Sequence, residues 1–298
     1  MTSNPAEGAR PAQADRAPSP ASSPQPPAQD GSNGSGASDA LLQLRGLGKS
    51  FGPVQALSDV DLDIPAGQVT ALVGDNGAGK STLIKTISGI WEPTHGQIIW
   101  QGKRMHFRNP RDVTDAGIAT VYQDLALCDN LDIVQNMLLG HEVRRHGLLD
   151  EVTMEKTAKK TLSDLRVTTV RNIRQPVGSL SGGQRQSVAV AKAVMLDAKL
   201  VIMDEPTAAL GVSQTELVLE LISNLASRGI AVLVVSHNLT DVFRVADRIA
   251  VLYLGKLVAS GPASEYDVAS TVDLMTAGVS TRTASAASPA RSLDGQEG

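Results

Sequence analysis

The chain has 298 residues, and 42% of them are hydrophobic, enough for the core of one large domain or two modest ones. Its formal net charge is -4, and such mild acidity gives no support to a nucleic-acid platform, which normally carries a basic face. Cys128 is the only cysteine, so a disulfide-stapled secreted scaffold is excluded and a cytoplasmic setting is expected.

Both ends of the chain are predicted to be disordered tails. Residues 1–38 are dominated by Pro, Ala, Ser, Gln and Gly, and residues 279–298 are rich in Ser, Ala and Thr. The folded domain is therefore expected at 39–278. No apolar run reaches the ~18–20 residues that span a bilayer, and the N-terminus lacks the pattern of a secretory signal. Any membrane-spanning part is expected to belong to another chain.

The folded domain is predicted to be α/β with a largely parallel sheet. Its first part, around 41–45 and 60–64, predicts strands of a small antiparallel β-subdomain. Nearly continuous apolar strands then follow at 69–73, 200–203, 230–235 and 249–254, as in a sheet covered on both faces. Two apolar stripes predict helices between them: Met154, Ala158, Thr161, Leu162 and Leu165, and Leu217, Leu221, Ile222 and Leu225.

The strand 69–73 leads directly into a phosphate-binding motif. The pattern G-x-x-x-x-G-K-[ST] is matched at every fixed position by Gly74, Asp75, Asn76, Gly77, Ala78, Gly79, Lys80 and Ser81. Backbone N–H groups of this loop and the N-terminus of the helix predicted at 81–90 attract phosphate oxygens. We expect Lys80 to reach the β- and γ-phosphates of ATP, Ser81 to offer its hydroxyl to Mg²⁺, and Thr82 to contact nucleotide. The alternative, a chance match, is disfavoured by the strand and helix on either side.

Two carboxylates end the strand at 200–203. A carboxylate there is costly unless it has a partner, and a Mg²⁺-bound nucleotide supplies one. Asp204 is expected to orient Mg²⁺, and Glu205 is expected to accept a proton from an attacking water. The alternative is an acidic pair that caps the next helix. His237, which follows the strand at 230–235, is a candidate to hydrogen-bond the γ-phosphate, although a lone histidine there is usually structural.

A third motif gives the resemblance to a family. Leu180, Ser181, Gly182, Gly183 and Gln184 lie about a hundred residues after the phosphate motif, and this segment resembles the signature of ABC ATPases. Ser181 and backbone N–H groups at a helix N-terminus suit a γ-phosphate. The resemblance covers residues ~41–260 and implies a P-loop cassette with a RecA-like parallel core, an N-terminal antiparallel β-subdomain and an inserted helical signature subdomain at about 124–195.

The same resemblance gives roles to further residues. Phe51 stands where the family places an aromatic ring that stacks on adenine; the alternative is a core aromatic. Gln123 resembles the family's hinge glutamine, which contacts Mg²⁺ and links the core to the helical subdomain. Family cassettes pair head to tail, so the resemblance implies a symmetric homodimer with two shared ATP sites. Gly211 is a departure, since the family usually has a carboxylate there that helps to couple the two sites.

Residues around the motifs resemble bacterial monosaccharide importers of the ribose, xylose and fructose type, in a branch with a single cassette. That resemblance implies an ATPase on the cytoplasmic face of the cell membrane that docks transmembrane permease subunits near residues 124–140. An extracytoplasmic sugar-binding protein would then act with it indirectly. The alternative is an ABC-class ATPase that acts on DNA or the ribosome. The absence of a long heptad run or cysteine-rich insertion argues against that alternative.

Overall fold

Strands and helices alternate along residues 40–279, the range that the computed structural model describes. The tails predicted at 1–38 and 279–298 lie outside the described residues, except for residue 279. The strands are β1 (Ala40–Phe51), β2 (Val54–Pro65), β3 (Val69–Val73), β4 (His95–Trp100), β5 (Lys103–Met105), β6 (Ile118–Val121), β7 (Arg144–Arg145), β8 (Leu148–Leu149), β9 (Leu200–Asp204), β10 (Ala231–Val235), β11 (Arg248–Tyr253) and β12 (Lys256–Pro262). The helices are α1 (Lys80–Ile87), α2 (Pro110–Asp115), α3 (Ile133–Leu138), α4 (Glu151–Asp164), α5 (Gly182–Val194), α6 (Val212–Ser227), α7 (Leu239–Val245) and α8 (Val268–Ala277).

A six-stranded sheet in the order β12-β11-β3-β10-β9-β6 forms the centre of the fold. All its pairings are parallel except the antiparallel pairing of β12 with β11. The four predicted apolar strands are confirmed as β3, β9, β10 and β11. The edge strands β6 and β12 were not predicted, because β6 has only four residues and β12 shows no clear alternation of buried and exposed side chains.

Both faces of this sheet are covered, which explains the continuous apolar character of its strands. Along β9, Val201 and Met203 face a core built mainly with helices α3 to α6. Leu200 and Ile202 face the opposite core, which α1 and the antiparallel sheet complete. Each of these side chains is fully buried, and such burial contributes about 1.5–3 kcal/mol per side chain.

The antiparallel β-subdomain is a four-stranded sheet in the order β2-β1-β4-β5. Its first two strands are longer than predicted because β1 continues past an irregularity between Leu44 and Leu47. Gly46 lies there with a φ of 56°. Left-handed backbone of this kind favours glycine and interrupts the alternation of buried and exposed side chains. The sequence pattern therefore ended the strand too early.

The segment between β6 and β9 contains three of the helices. Helices α3, α4 and α5 pack through buried side chains that include Met137, Met154, Leu162 and Val188. A short hairpin, β7 and β8, lies between α3 and α4. Arg174 holds the segment together electrostatically, because its guanidinium lies 3.3 Å from carboxylates of Asp132, Glu151 and Glu155. No helix in the range 40–279 has the length and apolar character to cross a membrane.

Candidate functional site

A cavity of about 690 Å³ opens at the carboxyl ends of the parallel strands. Loops after β3, β6, β9 and β10 meet there because parallel strands end on the same edge of a sheet. The cavity is lined by Val54, Gln55, Ala56, Asp75, Asn76, Gly77, Ala78, Gly79, Lys80, Ser81, Thr82, Gln123, Asp204, Glu205, Ala208, His237, Leu254 and Gly255. The structure thus brings together the phosphate motif and the candidate residues from three other loops.

The phosphate motif forms a closed backbone turn around the Lys80 side chain. The Lys80 ammonium donates hydrogen bonds to the carbonyl oxygens of Gly74 at 2.6 Å and of Asp75 at 3.0 Å. A Cβ atom on Gly74 would lie 2.4 Å from the carbonyl oxygen of Leu252, so only glycine fits there. Gly79 has a φ of 107° where α1 begins, a conformation that side chains disfavour.

Charges at the cavity floor are imperfectly balanced. Burial lowers the pKa of the Lys80 ammonium, while Glu205, Asp75 and Asp204 oppose that shift. Burial raises the pKa of the Asp204 carboxyl, and the neighbouring Glu205 raises it further against the effect of Lys80. Burial thus disfavours the charged form of both Lys80 and Asp204, while their mutual attraction opposes that effect.

Glu205 and His237 form a pair at the mouth of the cavity. Their Oε1 and Nδ1 atoms lie 2.8 Å apart, and the Glu205 side chain is 17% exposed while the His237 side chain is 65% exposed. Glu205 has a φ of 51°, and its N–H donates to the carbonyl of Val235 at 2.8 Å. The alternative that the acidic pair caps the next helix is wrong, because α6 begins at its N-cap Gly211 without a side-chain cap.

Phe51 is not among the residues that line the cavity, although it pairs with one of them, Val54, where β1 meets β2. Its side chain is 41% exposed, so the alternative of a core aromatic is wrong. The ring packs edge-on against Trp91 with the ring centroids 4.8 Å apart, and the Lys49 ammonium lies 5.1 Å from its centroid. Adenine stacking on Phe51 stays a prediction.

The signature segment, residues 181–184, lies outside the cavity. Ser181 caps α5: its Oγ accepts from the N–H of Gln184 at 3.4 Å, and the Gln184 Oε1 accepts from the N–H of Ser181 at 3.0 Å. A Cβ on Gly182 would lie 2.7 Å from a methyl group of Leu210, so a side chain there would displace that methyl group. One chain therefore carries the signature segment on a surface separate from its own phosphate motif.

The loop before the signature is bonded to the segment that precedes α3. The N–H of Val177 donates to the carbonyl of Leu131 at 3.0 Å, and the N–H of Gly178 donates to the carbonyl of Asp129 at 2.9 Å. The Arg185 guanidinium lies 3.4 Å from the Asp129 carboxylate. Residues 129–131 fall within the predicted permease-docking segment, so that segment and the signature helix are joined directly.

Sequence reasoning missed six residues that line the cavity. They come from the start of β2 and from two turns: Val54, Gln55, Ala56, Ala208, Leu254 and Gly255. Of these six, Gly255 is the one whose residue type reflects the site. Its φ is 80°, and a Cβ there would lie 2.6 Å from the carbonyl oxygen of Ala56, so the sequence has a glycine at this position. A single glycine in a turn is too common a feature to indicate a site from sequence.

Comparisons with known proteins agree with this geometry. Residues 57–208 match the family model described as ABC transporter. The fructose import ATP-binding protein FrcA of Rhizobium meliloti is 47% identical over 247 residues, which cover 80% of this chain and 95% of that protein. The xylose/arabinose import ATP-binding protein XylG of Sulfolobus acidocaldarius is 46% identical over 236 residues, 79% of this chain and 94% of that protein.

Two solved structures share the fold. A crystal structure of the ADP conformation of MJ1267, an ATP-binding cassette of an ABC transporter, superposes with a TM-score of 0.69 at 26% identity, over 80% of this chain and 95% of that one. The dimeric structure of the bacterial ABC transporter cassette MJ0796 has a TM-score of 0.64 at 25% identity, over 74% of this chain and 98% of that one. The predicted fold class and family resemblance are confirmed.

Proposed function

Since this chain belongs to the ABC transporter family and is an ATPase cassette of that family, we propose that its ATP hydrolysis drives import of a sugar, of the monosaccharide class, through a separate permease. The transport assignment is supported by the two relatives, which are both sugar import ATP-binding proteins. The observation that carries the chemistry is the convergence of Lys80, Asp204, Glu205 and His237 on one cavity.

The phosphate motif binds and orients the triphosphate of ATP. Its backbone N–H groups and the N-terminus of α1 face the cavity with positive partial charge. Lys80 adds a full positive charge, and the carbonyls of Gly74 and Asp75 hold its ammonium in place. An ammonium held in this way is preorganised for phosphate oxygens.

Glu205 accepts the proton of the water that attacks the γ-phosphate. Its carboxylate lies at the mouth of the cavity and is oriented by the hydrogen bond with His237. The proton moves from water to a Glu205 oxygen as the new P–O bond forms and the bond to the leaving phosphate oxygen breaks. His237 holds the carboxylate in this position, and the rest of its side chain is exposed to solvent.

Three residues that line the cavity fit a Mg²⁺ ion bound with the nucleotide. Ser81, Gln123 and Asp204 supply hydroxyl, amide and carboxylate oxygens, the donors that Mg²⁺ prefers. No cluster of three or more His, Cys, Asp or Glu ligands occurs among residues 40–279, which suits an ion held mainly by phosphates and water. Burial raises the pKa of the Asp204 carboxyl, and a bound cation would stabilise its ionised form. When bound, the ion neutralises charge on the phosphates.

A homodimer of cassettes completes each ATP site. The signature segment lies outside the chain's own cavity, so it is available to a second copy. Its four residues then face the γ-phosphate of the ATP that the second copy binds: Ser181, Gly182, Gly183 and Gln184. The dimeric cassette with a TM-score of 0.64 supports this arrangement. The dimer sits on the cytoplasmic face of the membrane and contacts permease subunits through residues 124–140, while a sugar-binding protein delivers solute from the other side.

Capture from native membranes tests this function. The full chain, carrying an affinity tag, is purified in mild detergent from its own cells, and its companions are identified by mass spectrometry. We expect a multi-span permease and a sugar-binding protein, and both should be absent from an untagged control. Recovery with DNA or ribosomes and no permease would contradict the transport assignment. Failure of the purified chain to hydrolyse ATP would contradict the chemistry as well.

A further inference from the structure

A buried carboxylate behind the cavity joins the segments that carry Glu205 and His237. Asp241, in the first turn of α7, is 9% exposed. Its Oδ2 atom accepts hydrogen bonds from Thr207 Oγ1 at 2.8 Å and from Asn238 Nδ2 at 2.9 Å. Thr207 lies two residues after Glu205, and Asn238 directly follows His237. One carboxylate oxygen thus bridges the two segments.

The surroundings of Asp241 make these two hydrogen bonds strong and specific. The residue borders a small cavity of about 10 Å³ whose other walls include Leu219, Ile222 and Val234. A carboxylate beside such apolar side chains is costly unless donors satisfy it. Hydrogen bonds to an ionised acceptor are also about twice as strong as neutral ones. Both effects hold Thr207 and Asn238 close to the same oxygen.

The loop that carries His237 is anchored on both sides of the histidine. The N–H of Asn238 donates to Ser236 Oγ at 3.0 Å, and the Asn238 Oδ1 accepts from the N–H of Thr240 at 3.1 Å. Ser236 is itself buried. His237 therefore projects from a short loop whose base is fixed by Asp241 through Asn238.

The segment after β9 needs a similar constraint. Glu205 has a φ of 51°, which a side chain adopts only when its surroundings hold the backbone there. One restraint is the hydrogen bond from its N–H to the carbonyl of Val235. The Thr207 hydroxyl bonded to Asp241 supplies a second restraint two residues further along.

We propose that Asp241 is a positioning residue for ATP hydrolysis, which sets the Glu205 to His237 distance by tying Thr207 to Asn238. Asp241 does not line the nucleotide cavity, so it acts through its two partners. This inference rests on the proposed role of Glu205 as the base. It predicts that breaking the bridge slows the chemical step and leaves nucleotide binding intact.

Matched variants of the full chain test the proposal. Thr207→Val removes the hydroxyl and keeps the shape, whereas Thr207→Ser keeps the hydroxyl. We expect Thr207→Val and Asp241→Ala each to lower kcat about 10-fold, because small misplacements of reacting groups cost that much or more. The KM for ATP and the Kd for a non-hydrolysable ATP analogue should change less than about 3-fold in the same variants. Thr207→Ser should keep kcat within about 2-fold of the wild type.

A double variant separates positioning from general damage. Because Thr207 and Asp241 act through one bridge, Asp241→Ala combined with Thr207→Val should be no slower than the slower single variant. A wild-type kcat in Thr207→Val, or an equal loss in Thr207→Val and Thr207→Ser, would overturn the proposal. If Asp241→Ala fails to fold, the comparison of Thr207→Val with Thr207→Ser decides on its own. A wild-type chain without ATPase activity would refute the proposed function instead.

Discussion

The Nδ1 atom of His237 lies 2.8 Å from the Oε1 atom of Glu205, across the ends of neighbouring parallel strands β10 and β9. A nitrogen that donates to this carboxylate leaves a neutral ring with only an acceptor at Nε2. Donation from His237 to a phosphate oxygen therefore requires the protonated ring. The neutral His237 ring is thus placed to orient Glu205, and only the protonated ring could also donate a hydrogen bond to a phosphate.

Replacing the base should separate hydrolysis from binding. Glu205→Gln keeps the size of the side chain and its hydrogen bond with His237 but removes the group that accepts a proton. We expect phosphate release to slow by about 10²–10⁴-fold while ATP affinity is retained. Single-turnover phosphate release and equilibrium ATP binding check this. Glu220→Gln, on the exposed face of α6, is the matched control, and an equal loss of activity in the control would refute the assignment.

Loss of the Lys80 charge should act on binding first. Lys80→Ala removes the ammonium that faces the phosphates and the hydrogen bonds that close the loop around it. Hydrogen bonds to charged groups contribute about 1.5–3 kcal/mol, so we expect ATP affinity to fall roughly 10- to 150-fold. Isothermal titration with ATP measures the change. Lys103→Ala, on the exposed edge strand β5, should bind ATP normally, and unchanged affinity in Lys80→Ala would contradict the role of Lys80.

Burial destabilises the ionised carboxylate of Asp204, so a variant without this charge should be more stable than the wild type. Folding raises the pKa of Asp204, so its ionised form destabilises the nucleotide-free chain once the pH passes the ordinary Asp value of about 4. Asp204→Asn removes this cost. At pH 7 in EDTA, we expect a Tm above that of the wild type.

The pH dependence of the Tm difference tests whether the Asp204 charge causes it. The advantage of Asp204→Asn should shrink as the pH is lowered toward 4, because the wild-type carboxyl then becomes neutral. Thermal unfolding at several pH values follows the trend. Asp115→Asn, at an exposed position in α2, should show no such difference. A lower Tm for Asp204→Asn at pH 7 would contradict a carboxylate destabilised by burial.

Two glycines should respond differently to the same added methyl group. A Cβ on Gly74 would meet the Leu252 carbonyl at 2.4 Å, whereas one on Gly52 would meet no atom within 4 Å. Gly52→Ala carries only the cost of a positive φ, about 1–2 kcal/mol. We expect Gly74→Ala to weaken ATP binding and Gly52→Ala to leave it unchanged. Equal ATP affinities in the two variants would contradict the close packing of the phosphate loop.

Gly211 offers a test of the departure from the family pattern. It is the N-cap of α6, makes no side-chain cap, and has open space around its Cβ position. Gly211→Asp should therefore fold normally and stabilise the chain by a few tenths of a kcal/mol through capping. Chemical unfolding measures that gain. The same variant allows ATPase cooperativity to be compared with that of the wild type.

The sequence predicted those parts of the fold whose residues are neighbours along the chain. The strand, phosphate motif and helix from Val69 to Ile87 follow one another directly, so their order in sequence is their order in space. The carboxylates of Asp204 and Glu205 at the end of β9 were also predictable, because polar residues that end a buried strand need a partner.

Contacts between distant segments were beyond sequence reasoning. Trp91 packs on Phe51 from 40 residues away in the chain, and the bridge between Thr207 and Asp241 crosses 34 residues. Nothing in the spacing of either pair indicates contact. The edge strand β12 also escaped prediction, because its buried and exposed residues follow the antiparallel register with β11 and not a clear alternation.

The backbone hydrogen bonds from Val177 to Leu131 and from Gly178 to Asp129 join two stretches that lie 46 and 49 residues apart in sequence. If a permease docks at residues 124–140 as proposed, a displacement there would be passed through these bonds to the loop before the signature helix. Mutational drift in either stretch is constrained by the other, so changes that adapt the cassette to a new permease should arise in pairs.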